Sequence, residues 1–189
     1  MKYRKLGRTE VEVSAIGLGT MTWGLQNTQA EGFEQMDYAL ERGINFFDTA
    51  EMYAIPPSEK TFGTTETIIG NWFASRSSRD RIILASKITG PGLEWIRDGK
   101  NIIDRKNILQ AVEGSLKRLQ TDYIDLYQLH WPNRGSYHFG QIWNCSPQFD
   151  AQAEVANFLE VLQTLQELIQ QGKIRHIGLS NETAWGLTK

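Results

Sequence analysis

The 189-residue chain has a single cysteine, Cys145, so no intrachain disulfide can form and a reducing compartment is the simple expectation. It has no run of like charge: the formal net charge is -2, and no segment concentrates lysine and arginine. A nucleic-acid groove or an anionic membrane surface therefore has no electrostatic support. No apolar stretch approaches the ~20 residues that cross a bilayer. The opening "MKYRKLGRTEVEVSAIGLG" lacks the apolar core of a signal peptide. These absences lead us to expect a cytoplasmic protein. What is present, 40% hydrophobic and 22% charged residues, is enough to bury a core in one domain spanning 1–189.

After a charged lead whose alternation at Val11 and Val13 predicts a small hairpin, five short apolar runs punctuate the chain. They are Ala15–Gly19, Ile44–Asp48, Ile82–Lys87, Ile124–His130 and Ile174–Asn181. Most are nearly continuous in apolar residues, as strands covered on both faces are. Between them lie helical patterns. Val155, Phe158, Leu159, Leu162, Leu165, Leu168 and Ile169 mark residues 154–171, with Gly172 placed to end that helix. Asp104 is an N-cap for a helix carrying Ile108, Val112, Leu116 and Leu119. Phe33, Met36 and Leu40 form a third stripe, and Ile68, Ile69, Trp72 and Phe73 a fourth; core packing accounts for all of them.

Strand and helix alternate, which predicts a parallel α/β fold, either an open doubly wound sheet or a (β/α)8 TIM barrel. The dinucleotide fingerprint of the doubly wound sheet fails, because "GLGTMTWG" has Thr22 where the third glycine belongs. The strand ends favour the barrel: Gly19, Asp48, Lys87, His130 and Asn181 each close an apolar run, and four of the five are polar. In a barrel such ends converge on one mouth, where active sites lie.

Chemistry follows from that convergence. A buried carboxylate needs a partner, and Lys87 ends the strand after Asp48. Tyr53 lies just past the same strand end, and His130 closes the strand after Lys87. A lysine ammonium stabilises phenolate, so Tyr53 is expected to have a lowered pKa and to protonate a carbonyl oxygen as hydride reaches its carbon. His130 is placed to hydrogen-bond that oxygen. Other signals are weaker. His130, His138 and Cys145 match no common metal spacing, so no metal is expected. His176 reads as a packed core histidine, Ser180 lacks the second glycine of a nucleophile elbow, and Cys145 has no base nearby. The loops 88–103 and 131–153 are long enough to be functional. The aromatic residues of the second, Trp131, Tyr137, Phe139, Trp143 and Phe149 with His138, either wall an apolar carbonyl substrate or simply pack the loop down.

In order along the chain, "GLGTMTWG", "GINFFDTAEMY", "LASK", "EGSLKRLQTDYIDLYQLHWP" and "GKIRHIGLSNE" resemble the aldo-keto reductase family, most of all its bacterial Tas-like branch. The resemblance implies that Asp48, Tyr53, Lys87 and His130 form a catalytic tetrad with Tyr53 as general acid. It implies NADPH, with NADH not excluded, laid across a barrel mouth. Ser180 and Asn181 then contact the nicotinamide carboxamide, while Gly19, Thr20, Met21 and Trp23 form the first-strand loop beside nicotinamide and substrate. The insert "AIPPSEKTFGTT" before Glu66 departs from the shorter members and lengthens a loop at the mouth. Only about five of the barrel's eight βα units fit in this length. The expectation is thus a barrel truncated after its fifth strand, a fragment of a longer reductase, with self-association through open barrel edges. The alternative is a non-catalytic fragment or regulatory subunit on the same scaffold. The resemblance also implies that the strands beyond these five carry the cluster that holds the cofactor's 2′-phosphate.

Overall fold

The computed structural model describes residues 1–135, 137, 139, 143 and 149–189. His138 and Cys145, set aside above as metal ligand and thiol nucleophile, lie outside the described residues. Strands β1 (Tyr3–Lys5) and β2 (Glu12–Ser14) pair antiparallel as the predicted hairpin. The rest alternates: β3 (Leu18–Gly19), α1 (Gln29–Glu41), β4 (Phe46–Asp48), α2 (Thr64–Arg76), β5 (Ile83–Ile88), α3 (Arg105–Leu119), β6 (Ile124–Leu129), α4 (Ala151–Gln170), β7 (Ile174–Leu179) and α5 (Ala184–Thr188). The five later strands form one parallel sheet in sequence order β3-β4-β5-β6-β7. Sequential parallel neighbours describe an arc of barrel wall, since a doubly wound sheet would reverse direction partway.

Side-chain caps open α1, α3 and α4. Thr28 and Glu31 form a reciprocal capping box at α1, Asp104 accepts from the Asn107 amide at α3, and Asp150 accepts from the Gln152 and Ala153 amides at α4. Register sorts the two sheet faces. Phe47 pairs with Leu84 and Ser86 with Tyr127, and these outward residues are fully buried under the helices with Ile69, Trp72, Ile108 and Leu119. Each such apolar side chain contributes roughly 1.5–3 kcal/mol. Gly70 lets α2 and α3 approach: a Cβ there would run into the backbone of Arg118 and Leu119.

The inward, concave face holds Asp48, Ala85, Lys87, Leu126, Gln128 and His176, following the pairs Asp48–Ala85, Lys87–Gln128 and Leu126–His176. His176 is therefore half-buried on the concave face, not packed in the core as its mid-strand position suggested.

Two further expectations need correction. The first run is a strand only at Leu18–Gly19, because Ser14 to Ile16 are spent closing the hairpin through the Ala15 amide and Ser14 hydroxyl. The apolar stripe of α4 is not all core. Val161, Leu165 and Leu168 are buried, whereas Leu159 and Leu162 are 58% and 50% exposed. Two faces of α4 are apolar, and the sheet covers only one.

Candidate active site

Beyond Asp48 the chain keeps pairing with β5: the Thr49 amide donates to the Ala85 carbonyl and the Glu51 amide to the Lys87 carbonyl. A turn from the Ala50 carbonyl to the Tyr53 amide then brings the phenol back over the strand ends. That is why an apolar strand closes on a carboxylate with a tyrosine five residues later. Lys87 Nζ donates to Asp48 Oδ2 at 2.7 Å and to the Thr49 carbonyl at 2.8 Å, and lies 3.5 Å from the Tyr53 hydroxyl. The His130 ring meets the Tyr53 ring edge-on with centroids 5.7 Å apart. The four predicted residues thus share one place, and all four line a cavity of about 840 Å³.

The electrostatics differ from the expected pattern in one respect. Tyr53 is pushed up to about 12, first by burial and then by the Asp48 carboxylate, so the nearby ammonium does not lower it. The phenol is fully protonated near neutral pH, the state a proton donor needs. Burial also lowers Lys87, opposed chiefly by Asp48, which favours its charged form. Burial, with the Lys87 charge, holds His130 down at about 3. His130 is a neutral imidazole, and its buried Nδ1 has no hydrogen-bond partner among the described residues.

The other predicted residues divide. Met21, Ser180, Asn181 and Trp131 line the cavity. The Asn181 amide donates to the His130 carbonyl and to Ser180 Oγ, both at 3.0 Å. Gly19 is exposed at the end of β3, paired with Asp48, and Thr20 is buried with its hydroxyl donating to the Asp48 carbonyl. Trp23 does not reach the mouth. It is fully buried in the core, donating to Gln35 at 2.9 Å, because a tight turn on the Thr22 carbonyl sends it inward against Gly32. Of the loop aromatics, Phe139 packs edge-on against Trp131 at 5.3 Å and reaches the cavity. Phe149 instead packs on Trp185, and Trp143 is almost wholly exposed.

Gln128 and Arg134 escaped the sequence reading. Gln128 donates to Asp48 Oδ1 at 3.2 Å, leaving Oδ2 for Lys87. Its signal was parity: two residues before His130, it is a polar residue in an apolar run. The insert 54–65, expected to lengthen a loop at the mouth, forms cavity wall at Ile55 and Pro57, tied to the first-strand loop by the Ile55 amide on the Met21 carbonyl. Arg134 also lines the cavity, paired with Glu154 and Glu182 and stacked on Trp185.

An arc of parallel strands backed by helices, whose strand ends gather a tyrosine, a lysine, an aspartate and a neutral histidine, is a barrel-type α/β architecture, and sequence comparison gives its family. The model of the Aldo/keto reductase family matches residues 15–189, and the chain belongs to that family. It is 47% identical to Protein tas of Escherichia coli (strain K12), covering 100% of this chain and 54% of that protein. It is 38% identical to a Bacillus subtilis (strain 168) protein named "Uncharacterized oxidoreductase YrpG", covering 100% of this chain and 52% of the other. Among solved structures, the holo form of aldo-keto reductase AKR11C1 from Bacillus halodurans superposes with a TM-score of 0.73 at 32% identity, over 100% of this chain and 53% of that one. The chain spans about half the length of the curated relatives it matches.

Proposed function

We propose that the protein carrying this chain is an oxidoreductase that reduces an aldehyde or ketone to an alcohol. The observation that carries the reading is the Asp48–Lys87–Tyr53–His130 cluster on one cavity wall. The substrate oxygen lies between Tyr53 and His130: the neutral imidazole donates a hydrogen bond to it, and the Tyr53 hydroxyl gives it a proton. Lys87, held cationic by Asp48, stabilises the phenolate left behind. A nicotinamide dinucleotide, when bound, supplies the hydride.

The residues present suit the nicotinamide end of such a cofactor. A carboxamide needs a hydroxyl and an amide as partners, and Ser180 and Asn181 present both on the wall that holds Lys87. Phosphate groups find less. Among the described lining residues the cations are Lys87 and Arg134, each already paired with carboxylate. NADPH is the proposed cofactor by family resemblance, and these residues do not distinguish it from NADH.

The test is NADPH oxidation with a reactive aromatic aldehyde by protein expressed from its full coding sequence. Tyr53→Phe should abolish turnover and leave cofactor affinity within about twofold, because it removes a proton needed only in the transition state. Substantial turnover by that variant would make the role given to Tyr53 wrong. No turnover by the folded parent would favour the second reading, a non-catalytic protein on the reductase scaffold. We also propose self-association through the sheet edges β3 and β7, supported by the exposed outer residues Ile177 and Leu179.

A further inference from the structure

Glu51 and Arg97 form an ion pair that the tetrad chemistry does not use. Arg97 donates to both carboxylate oxygens, at 2.9 and 3.0 Å, and Glu51 Oε1 also accepts from the Thr89 amide at 2.6 Å. The two side chains are 1% and 7% exposed. Glu51 stands two residues before Tyr53, on the stretch that still pairs with β5. Arg97 stands in the long loop after β5. A buried fork between these two positions joins the Tyr53 segment to the loop across the strand ends.

The loop between them forms part of the cavity. Pro91, Gly92 and Leu93 line it, and Ile96, almost wholly buried, packs with Ala50, Met52 and Tyr53. Arg97 and Asp98 both hold left-handed backbone, at φ 52° and 54°. Neither is glycine, so the surroundings must hold that conformation in place. The guanidinium fork is the strongest contact available to do so. Trp131 also holds this loop, donating to the Pro91 carbonyl at 3.0 Å.

We propose that the Glu51–Arg97 pair is a positioning strut: it fixes the Pro91–Ile96 wall against Tyr53 and thereby selects flat apolar carbonyl substrates. The selectivity half rests on the reductase reading; the strut does not. Without the fork the loop lifts, Leu93 and Ile96 lose their seats, and the face beside Tyr53 widens. A small straight-chain aldehyde uses little of that wall. An aromatic aldehyde uses much of it.

Two readouts on Arg97→Met test this in the full protein. Amide hydrogen exchange across 90–101 should rise by about tenfold or more while β5 and α3 keep parent rates, since only the loop loses its anchor. The kcat/KM for a bicyclic aromatic aldehyde should fall on the order of tenfold relative to that for a short aliphatic aldehyde, mainly through KM. Arg97→Lys keeps the charge but not the fork. It should move both readouts the same way by a smaller factor, and it serves if the methionine variant does not fold. Unchanged loop exchange overturns the strut. Equal losses for both aldehydes overturn the selectivity role. A folded parent that reduces no carbonyl overturns the reductase reading, and loop exchange then decides the strut by itself.

Discussion

Lys87 and Asp48 are joined across the β4–β5 pair by a 2.7 Å hydrogen bond, with the lysine side chain almost wholly buried and the aspartate about one-third exposed. Burial disfavours the charged form of Lys87 and lowers its pKa, and Asp48 is the main influence opposing that shift. Asp48→Asn keeps the shape and removes the charge. Breaking a fully buried pair costs ~3–5 kcal/mol, and solvent at Asp48 brings the expected loss to about 2 kcal/mol. Urea melts of parent and variant read this directly. A loss below about 0.5 kcal/mol would mean that solvent already carries most of what Asp48 does.

His130 makes the fold sensitive to acid in a defined window. Its folded value is about 3 against an ordinary 6.5, so the unfolded chain takes up the proton first as pH falls. The stabilisation is therefore complete above the unfolded value and is lost on descending from 6.5 towards 3. The slope approaches about 1.4 kcal/mol per pH unit, and the whole is on the order of 4 kcal/mol. His130→Gln removes the titration. The stability gap between parent and His130→Gln should shrink or reverse between pH 7 and pH 5, where carboxylates have barely begun to titrate; a gap independent of pH would contradict the buried neutral imidazole.

How far the sequence could be read shows in these residues. Asp48, Lys87 and His130 were visible because a polar residue closing an apolar run needs a reason, and their convergence followed from strand order. Gln128 was not, since a run taken as covered on both faces hides its alternation; only the Lys87–Gln128 register reveals that it faces inward. Trp23 was misplaced because motif position carries no information about which way a tight turn aims a side chain. The direction of the Tyr53 shift was missed for a different reason: a lysine neighbour can be inferred from spacing, but burial cannot, and burial is the larger influence. The Glu51–Arg97 fork joins residues 46 positions apart through a loop with no periodic pattern, so nothing local announced it.

Trp23 yields a prediction that separates core from substrate wall. It is fully buried, and its indole N–H is satisfied by Gln35. Trp23→Ala should cost about 3–5 kcal/mol in denaturant unfolding, the range for emptying a large aromatic site. Trp23→Phe should cost less and leave any aldehyde selectivity as in the parent. A change in selectivity without loss of stability would return Trp23 to the mouth.

The exposed apolar residues on the outer side of β7 and on α4 make the last case. Ile177 and Leu179 project from an edge strand, and Leu159 and Leu162 from the uncovered face of the neighbouring helix. Apolar patches and open strand edges of this kind drive association. Replacing Leu159 and Leu162 by Gln, and Ile177 and Leu179 by Thr, keeps helix and strand propensity. Already exposed side chains contribute little to stability, so each change should alter it by no more than ~0.5 kcal/mol. Sedimentation velocity of this chain at rising concentration should show self-association, and the fourfold variant should sediment as a monomer over the same range. If the parent is itself monomeric throughout, this face does not join copies of the chain. If the variant associates equally, the contact lies elsewhere, and the β3 edge becomes the surface to alter next.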